Sequence, residues 1–107
     1  MVRAASEPVR YQVLLSDGRH EVVADTAAEK GGADSGFRPH DLLEASLASC
    51  VSMTVRMYAD CHGIPLRGVI TTVTMDRTHP EEVVFRYDVA LDGDLTPEQE
   101  RKLLLAA

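Results

Sequence analysis

The sequence predicts an α+β fold: an N-terminal β-hairpin, a long buried central helix, two further strands and a C-terminal helix. Three observations predict it. Two short β-prone runs, residues 9–15 and 20–24, flank Asp17-Gly18, the strongest short-range hairpin signal. The stretch 41–58 is apolar or small on nearly every helical side and carries one cysteine, Cys50, at its middle. Further on, Val83, Phe85, Tyr87, Val89 and Leu91 recur at period two with Arg86 and Asp88 between them, the pattern of a half-buried strand.

Length and composition set the frame. A chain of 107 residues makes one domain, spanning 1–107, and buries only about two-thirds of its unfolded surface. A helix that is hydrophobic all round has to be covered on all sides. So short a chain has little to cover it with, so a second copy is expected to supply part of the cover. Hydrophobic residues at 45% and charged residues at 26% are ordinary for a soluble globular protein. The net charge of −6 argues against nucleic acid and anionic membrane surfaces as partners, because both reward clustered Lys and Arg. Residues 1–6 hold no apolar signal core and no run is long enough to span a bilayer. The cytoplasm is therefore the expected compartment, with both cysteines as free thiols rather than a disulfide.

In chain order, the hairpin places Arg19 at or just beyond its tip. Residues 25–38 turn small and polar around Gly31, Gly32 and Gly36 and read as a loop. Loops of this length in a compact domain are usually functional or mobile. Pro39 suits the first helical position and Asp41 complements the helix dipole, although Arg38 is a poor cap. The helix is expected to reach about Cys61, with Gly63 as a left-handed stop and Pro65 just beyond. Strands follow over roughly 67–76 and 83–91, then a turn at Asp92-Gly93-Asp94. Thr96-Pro97-Glu98-Gln99 supplies a cap, a first-turn proline and a capping-box partner for the last helix. Leu103-Leu104-Leu105 lies at the chain end, where either further chain or a partner has to cover it.

Cys50 admits two readings: a small buried hydrophobe, or a placed nucleophile. A thiol attacks only as the thiolate, whose free pKa is about 8.5, and apolar burial raises that value. Cys50 lies three turns from the helix start, so ionisation has to come from a side-chain cation, and Arg19 could provide it. Cys61 lies on nearly the same face but roughly 16 Å along the axis. A disulfide needs Cα atoms within about 7 Å, so Cys61 cannot resolve Cys50 within one intact helix. His20, His40, His62 and His79 are scattered and with the two cysteines match no zinc pattern. Gly31-Gly32 lacks the helix and Lys-Ser/Thr of a phosphate loop. No cofactor and no metal is expected. Met53 and Met57 follow Cys50 at helical spacing, as core residues or as the wall of an apolar pocket beside the thiol. His40 serves either the helix start or the surface, or as a base toward the thiol.

The order of these elements, with Asp17-Gly18-Arg19-His20, Gly31-Gly32-Ala33-Asp34, Pro39 through Ser49-Cys50, Met53-Thr54-Val55-Arg56-Met57-Tyr58, Gly63-Ile64-Pro65-Leu66 and Leu95-Thr96-Pro97-Glu98-Gln99, resembles the OsmC/Ohr family. The resemblance implies an OsmC-like α+β fold in which two chains intertwine as a homodimer around two central helices. It implies a thiol-dependent peroxidase acting on organic hydroperoxides, recycled by a thiol reductant. The peroxidatic cysteine falls on Cys50 and the hairpin arginine on Arg19, with Arg38 a competitor. The family's helix-start Glu falls on His40, leaving Asp41 and Glu44 as substitutes, and the resolving cysteine falls past Ala107. The sequence is thus expected to lack the family's C-terminal portion and to fit its less characterised OsmC-like branch.

Two functions are therefore expected. In the first, Cys50 and Arg19 carry peroxide reduction while Met53, Met57 and His40 shape the substrate pocket. In the alternative, a non-catalytic dimer binds a small apolar ligand at the subunit interface.

Overall fold

The computed structural model describes residues Met1–Ala107 as two compact units, Met1–Leu43 and Glu44–Ala107. The first is built on an antiparallel meander of β1 (Arg3–Ser6), β2 (Val13–Ser16) and β3 (Glu21–Ala24), in that order across the sheet. The predicted hairpin is β2–β3. Its turn closes on the Asp17 carboxylate, whose Oδ1 accepts the N–H groups of Arg19 (2.8 Å) and His20 (2.7 Å). Gly18 supplies the left-handed residue that the turn needs, with φ +98°.

Two departures from the sequence reading occur here. Strand β2 starts at Val13 rather than at residue 9, because the chain first turns back: Gln12 donates to the Val9 carbonyl (2.9 Å) and Glu7 to that of Gln12 (3.0 Å). Strand β1 was not expected at all. Arg3-Ala4-Ala5-Ser6 has no alternating pattern, and its extension is imposed by pairing with β2, from Arg3↔Ser16 to Ser6↔Val13.

The Gly-rich loop is organised around one carboxylate. Asp25 is 3% exposed, and its oxygens accept the N–H groups of Thr26 (2.7 Å), Ser35 (3.1 Å) and Ala33 (3.2 Å). The Asp25 N–H donates to the Phe37 carbonyl at 3.0 Å, beside a parallel bridge between Ala24 and Phe37. A short 3-10 turn, Ala28–Lys30, lies inside the loop. Gly36 passes so close to β3 that a β-carbon there would overlap the Val23 carbonyl oxygen.

Helix α1 (Pro39–Cys61) begins as the proline predicts. The poor cap, Arg38, is rescued from three residues on: Asp41 Oδ2 accepts the Arg38 backbone N–H at 3.1 Å, the backward half of a capping box. At its other end Gly63 is left-handed, φ +63°, and Ile64 donates to the Ala59 carbonyl at 2.9 Å, the long bond of a Schellman ending.

In the second unit α1 packs with the antiparallel hairpin β4 (Leu66–Asp76) and β5 (Val84–Gly93) and with α2 (Pro97–Ala106). Val55, Ala59, Ile64, Leu66 and Leu103 form the core, with Val51, Tyr58, Val69, Leu91 and Leu95 packed against it. Helix α2 starts with both halves of its capping box in place, Gln99 N–H to Thr96 Oγ1 at 3.1 Å and Thr96 N–H to Gln99 Oε1 at 3.0 Å.

Helix α1 was expected to be apolar or small on nearly every side. Instead, Glu44, Ser52 and Arg56, at four- and eight-residue spacings, form a polar stripe along β4. Glu44 Oε2 accepts the Met75 N–H at 2.7 Å, Ser52 and Thr71 share a hydroxyl hydrogen bond at 2.8 Å, and the Arg56 guanidinium donates to the carbonyls of Leu66 (2.7 Å) and Arg67 (3.1 Å). Only Val55 and Ala59 of α1 are fully buried. The hairpin and α2 cover one side of the helix, and the opposite side lies open in the single chain.

Candidate functional site

That open side carries Cys50. Ser46, Cys50, Met53 and Met57 are all exposed and follow one another at spacings of four, three and four, so they lie along one stripe of α1, with Cys61 ending it. Met53 and Met57 are 59% and 63% exposed, which is unusual for unbranched apolar side chains. Cys50 was expected in apolar burial; its side chain is exposed, because the stripe faces away from β4, β5 and α2. The helix under it is held at Glu44, Ser52 and Arg56, so the thiol stands on a fixed support.

The remaining expected site residues belong to the first unit. Arg19 sits at the β2–β3 turn with an exposed side chain, its backbone fixed by Asp17. The competitor Arg38 is committed elsewhere: Nε and Nη2 reach the two oxygens of Asp41 at 3.2 and 3.1 Å. That guanidinium, joined by the Arg38 backbone N–H and the charge of His40, holds the Asp41 carboxyl below its usual value. His40 is exposed in the first turn of α1. The two carboxylates offered as substitutes for a helix-start Glu are both engaged, Asp41 with Arg38 and Glu44 with the Met75 backbone.

A cavity of about 390 Å³ in the first unit escaped the sequence reading. Val2, Leu15, Val22 and Leu42 line it, with Asp17 and His20, the residues on either side of Gly18-Arg19, in its wall. Leu15 and Val22 are directly paired across β2 and β3, so the register of the hairpin is what brings them to one face. His20 Nδ1 lies 3.4 Å from Asp17 Oδ2. No three His, Cys, Asp or Glu side chains gather as a metal would require, and no helix is long and apolar enough to cross a membrane.

A family model described as OsmC-like protein matches residues 31–107, which include the second half of the Gly-rich loop, all of α1 with Cys50, the β4–β5 hairpin and α2. The chain belongs to the OsmC-like family. Solved structures carry the same fold. An OsmC-like protein from Mycoplasma pneumoniae superposes with a TM-score of 0.81 at 15% identity, over 97% of this chain and 76% of that one. An organic hydroperoxide resistance protein OsmC from Legionella pneumophila gives 0.67 at 21% identity, over 99% and 79%. The organic hydroperoxide resistance protein OhrB of Bacillus subtilis gives 0.65 at 19% identity, over 99% and 80%. No curated protein matches the chain in sequence. The α+β architecture expected from the sequence is thus that of the OsmC-like proteins, some of whose members are hydroperoxide resistance proteins.

Proposed function

We propose that this OsmC-like protein is a thiol peroxidase that reduces organic hydroperoxides through Cys50, working as a homodimer. The observation that carries the reading is the placement of an accessible thiol in the middle of an exposed apolar stripe, between Ser46 and the thioethers of Met53 and Met57. The names of the Legionella and Bacillus structures point to the same substrate class. In this reading Arg19 is the cation that favours the thiolate, since Arg38 is paired with Asp41. Met53 and Met57, with His40 at the helix start, flank the organic part of the substrate.

The reaction needs two electrons from sulfur and no cofactor. The Cys50 thiolate attacks the terminal peroxide oxygen, an S–O bond forms as the O–O bond breaks, and the alkoxide leaves and takes a proton from water as the alcohol. Cys50 becomes a sulfenic acid. A thiol reductant then attacks that sulfur, water leaves, and a second thiol releases Cys50 reduced. A cytoplasmic setting, where thiols are kept reduced, suits such a cycle.

The test follows one equivalent of cumene hydroperoxide with the parent and with Cys50→Ser. The parent should consume it with loss of one free thiol and prefer it to hydrogen peroxide, and the variant should not. Equal consumption by the variant would overturn the proposal in favour of an apolar-ligand-binding dimer.

A further inference from the structure

We infer that Thr54 is a further catalytic residue of the Cys50 site: its hydroxyl donates a hydrogen bond to the oxygen that leaves as the thiolate cleaves the hydroperoxide. This rests on the peroxidase reading above and gives the leaving oxygen a partner on the protein.

Thr54 is exposed and lies four residues beyond Cys50, about one turn along α1. Residues three and four apart on a helix are neighbours, about 5–6 Å between β-carbons. Ser46, Leu47, Met53 and Thr54 therefore ring the sulfur on its own helix, and two of the four carry hydroxyls. Side chains lean toward the N-terminus of their helix, so Thr54 leans back over Cys50 while Ser46 leans away from it. The Thr54 hydroxyl is also unspent. Ser49 Oγ donates to the Ser46 carbonyl at 3.1 Å and Ser52 shares a hydrogen bond with Thr71 at 2.8 Å, but the Thr54 side chain makes none. These relations lie within one helix and hold whatever packs on the stripe.

The lie of the substrate decides which oxygen meets Thr54. Around the helix Thr54 stands about 40° to one side of Cys50, with Met53 about 60° and Met57 about 20° to the other. Along the axis Met53, Thr54 and Met57 lie roughly 4.5, 6 and 10.5 Å beyond Cys50. A hydroperoxide whose organic group rests on the exposed thioethers of Met53 and Met57 runs from the sulfur through the gap between Met53 and Thr54. In-line attack orders its atoms as sulfur, terminal oxygen, leaving oxygen, carbon. The leaving oxygen is the one bound to carbon, and it passes beside Thr54.

The step needs no new reactant. The thiolate pair forms the S–O bond, and the terminal oxygen keeps its hydrogen in the sulfenic acid. The O–O pair stays on the oxygen that carries the organic group. Thr54 donates to that oxygen while its charge develops, and water then supplies the proton. A donor aimed at charge that appears only in the transition state speeds the reaction without changing the resting thiol.

The experiment mixes the full chain with cumene hydroperoxide at neutral pH and follows loss of the Cys50 thiol by peptide mass. Iodoacetamide labelling of Cys50 is followed in parallel across the titration of the thiol. Thr54→Val keeps the branched shape without the hydroxyl, and Thr54→Ser keeps the hydroxyl without the methyl. Thr54→Val should slow the peroxide reaction roughly ten- to a hundredfold, as expected for losing one hydrogen bond to a charged oxygen. Its alkylation rate and pH profile should match the parent's, and Thr54→Ser should keep most of the parent's peroxide rate. Equal peroxide rates for the parent and Thr54→Val overturn the inference and leave the peroxidase reading standing. So does a Thr54→Val chain whose alkylation slows in step with its peroxide reaction, because the hydroxyl then acts on the thiolate. If the parent's Cys50 survives the peroxide, the peroxidase reading fails and the inference with it.

Discussion

The Glu44 carboxylate on α1 accepts the backbone N–H of Met75, thirty-one residues away on β4, at 2.7 Å. It joins the start of the second unit's helix to the far end of its hairpin, and Ser52–Thr71 and Arg56–Leu66 continue the line toward the other end. An acceptor of this kind, bearing charge and partly shielded, is worth about 1–2 kcal/mol when removed. Glu44→Ala should lower the urea-unfolding free energy by about that amount with an unchanged slope. Glu44→Gln keeps an acceptor oxygen and should recover most of the loss.

Leu103 is completely buried against Val55 and Ala59 and is the last large side chain of the core. Leu103→Ala should cost about 2–5 kcal/mol through lost transfer energy and the cavity left behind. Leu105, on the same helix but 73% exposed, should tolerate the same change within about 0.5 kcal/mol. Thermal melts of the two variants side by side test the assignment.

Backbone contact makes a sharper contrast. A methyl group at Gly36 would overlap the Val23 carbonyl, whereas one at Gly68 would meet nothing within 4 Å. Gly36→Ala should express poorly or melt well below the parent, while Gly68→Ala should match it. Equal melting of the two would show that the loop does not press on β3.

Acid should loosen the first unit through Asp25. The Thr26 N–H foremost, then those of Ser35 and Ala33, hold its carboxyl below the ordinary value, against the opposing effect of burial. A depressed carboxylate contributes stability above its unfolded pKa, about 3.9, and loses it as pH falls through the folded value. Stability should therefore hold from pH 7 down to about 5 and decline below about 4. Asp17, Asp41 and Asp76 are lowered too and share in the decline. Asp25→Asn should be less stable at pH 7 and show a shallower acid limb in urea midpoints measured from pH 7 to 3.

Arg19 and Arg38 should separate in the thiol's reactivity. In the proposed site Arg19 is the residue that makes Cys50 reactive, so its loss should cut the rate of thiol labelling at neutral pH about tenfold. Arg19→Ala should slow iodoacetamide labelling of Cys50 by that factor, and Arg38→Ala should leave it within about twofold. Labelling of Cys61 serves as the internal control. The reverse order of effects would remove Arg19 from the proposed site.

Much of the architecture was legible because its signals are local. Pro39, Gly63 and the Thr96 to Gln99 box mark helix ends through their own backbone preferences, and Asp17-Gly18 marks its turn the same way. What escaped is what a partner segment imposes. Arg3-Ala4-Ala5-Ser6 extends only because β2 lies beside it. The roles of Glu44, Ser52 and Arg56 depend on which backbone groups of β4 face the helix, which no periodicity in α1 encodes. The Gly-rich loop read as punctuation, yet its order comes from a carboxylate, Asp25, at its edge. For the site, spacing alone placed Cys50, Met53 and Met57 on one face. The engagement of Asp41 and Glu44 could be seen only once their hydrogen-bond partners were in place.

The three polar attachments of α1 to β4 have a mechanical consequence. They join an acid to an amide, a hydroxyl to a hydroxyl and a guanidinium to two carbonyls. No sliding of the helix by one turn can exchange these unlike partners for equivalent ones. The position of Cys50 along β4 is therefore fixed, and whatever meets its sulfur has to do the travelling.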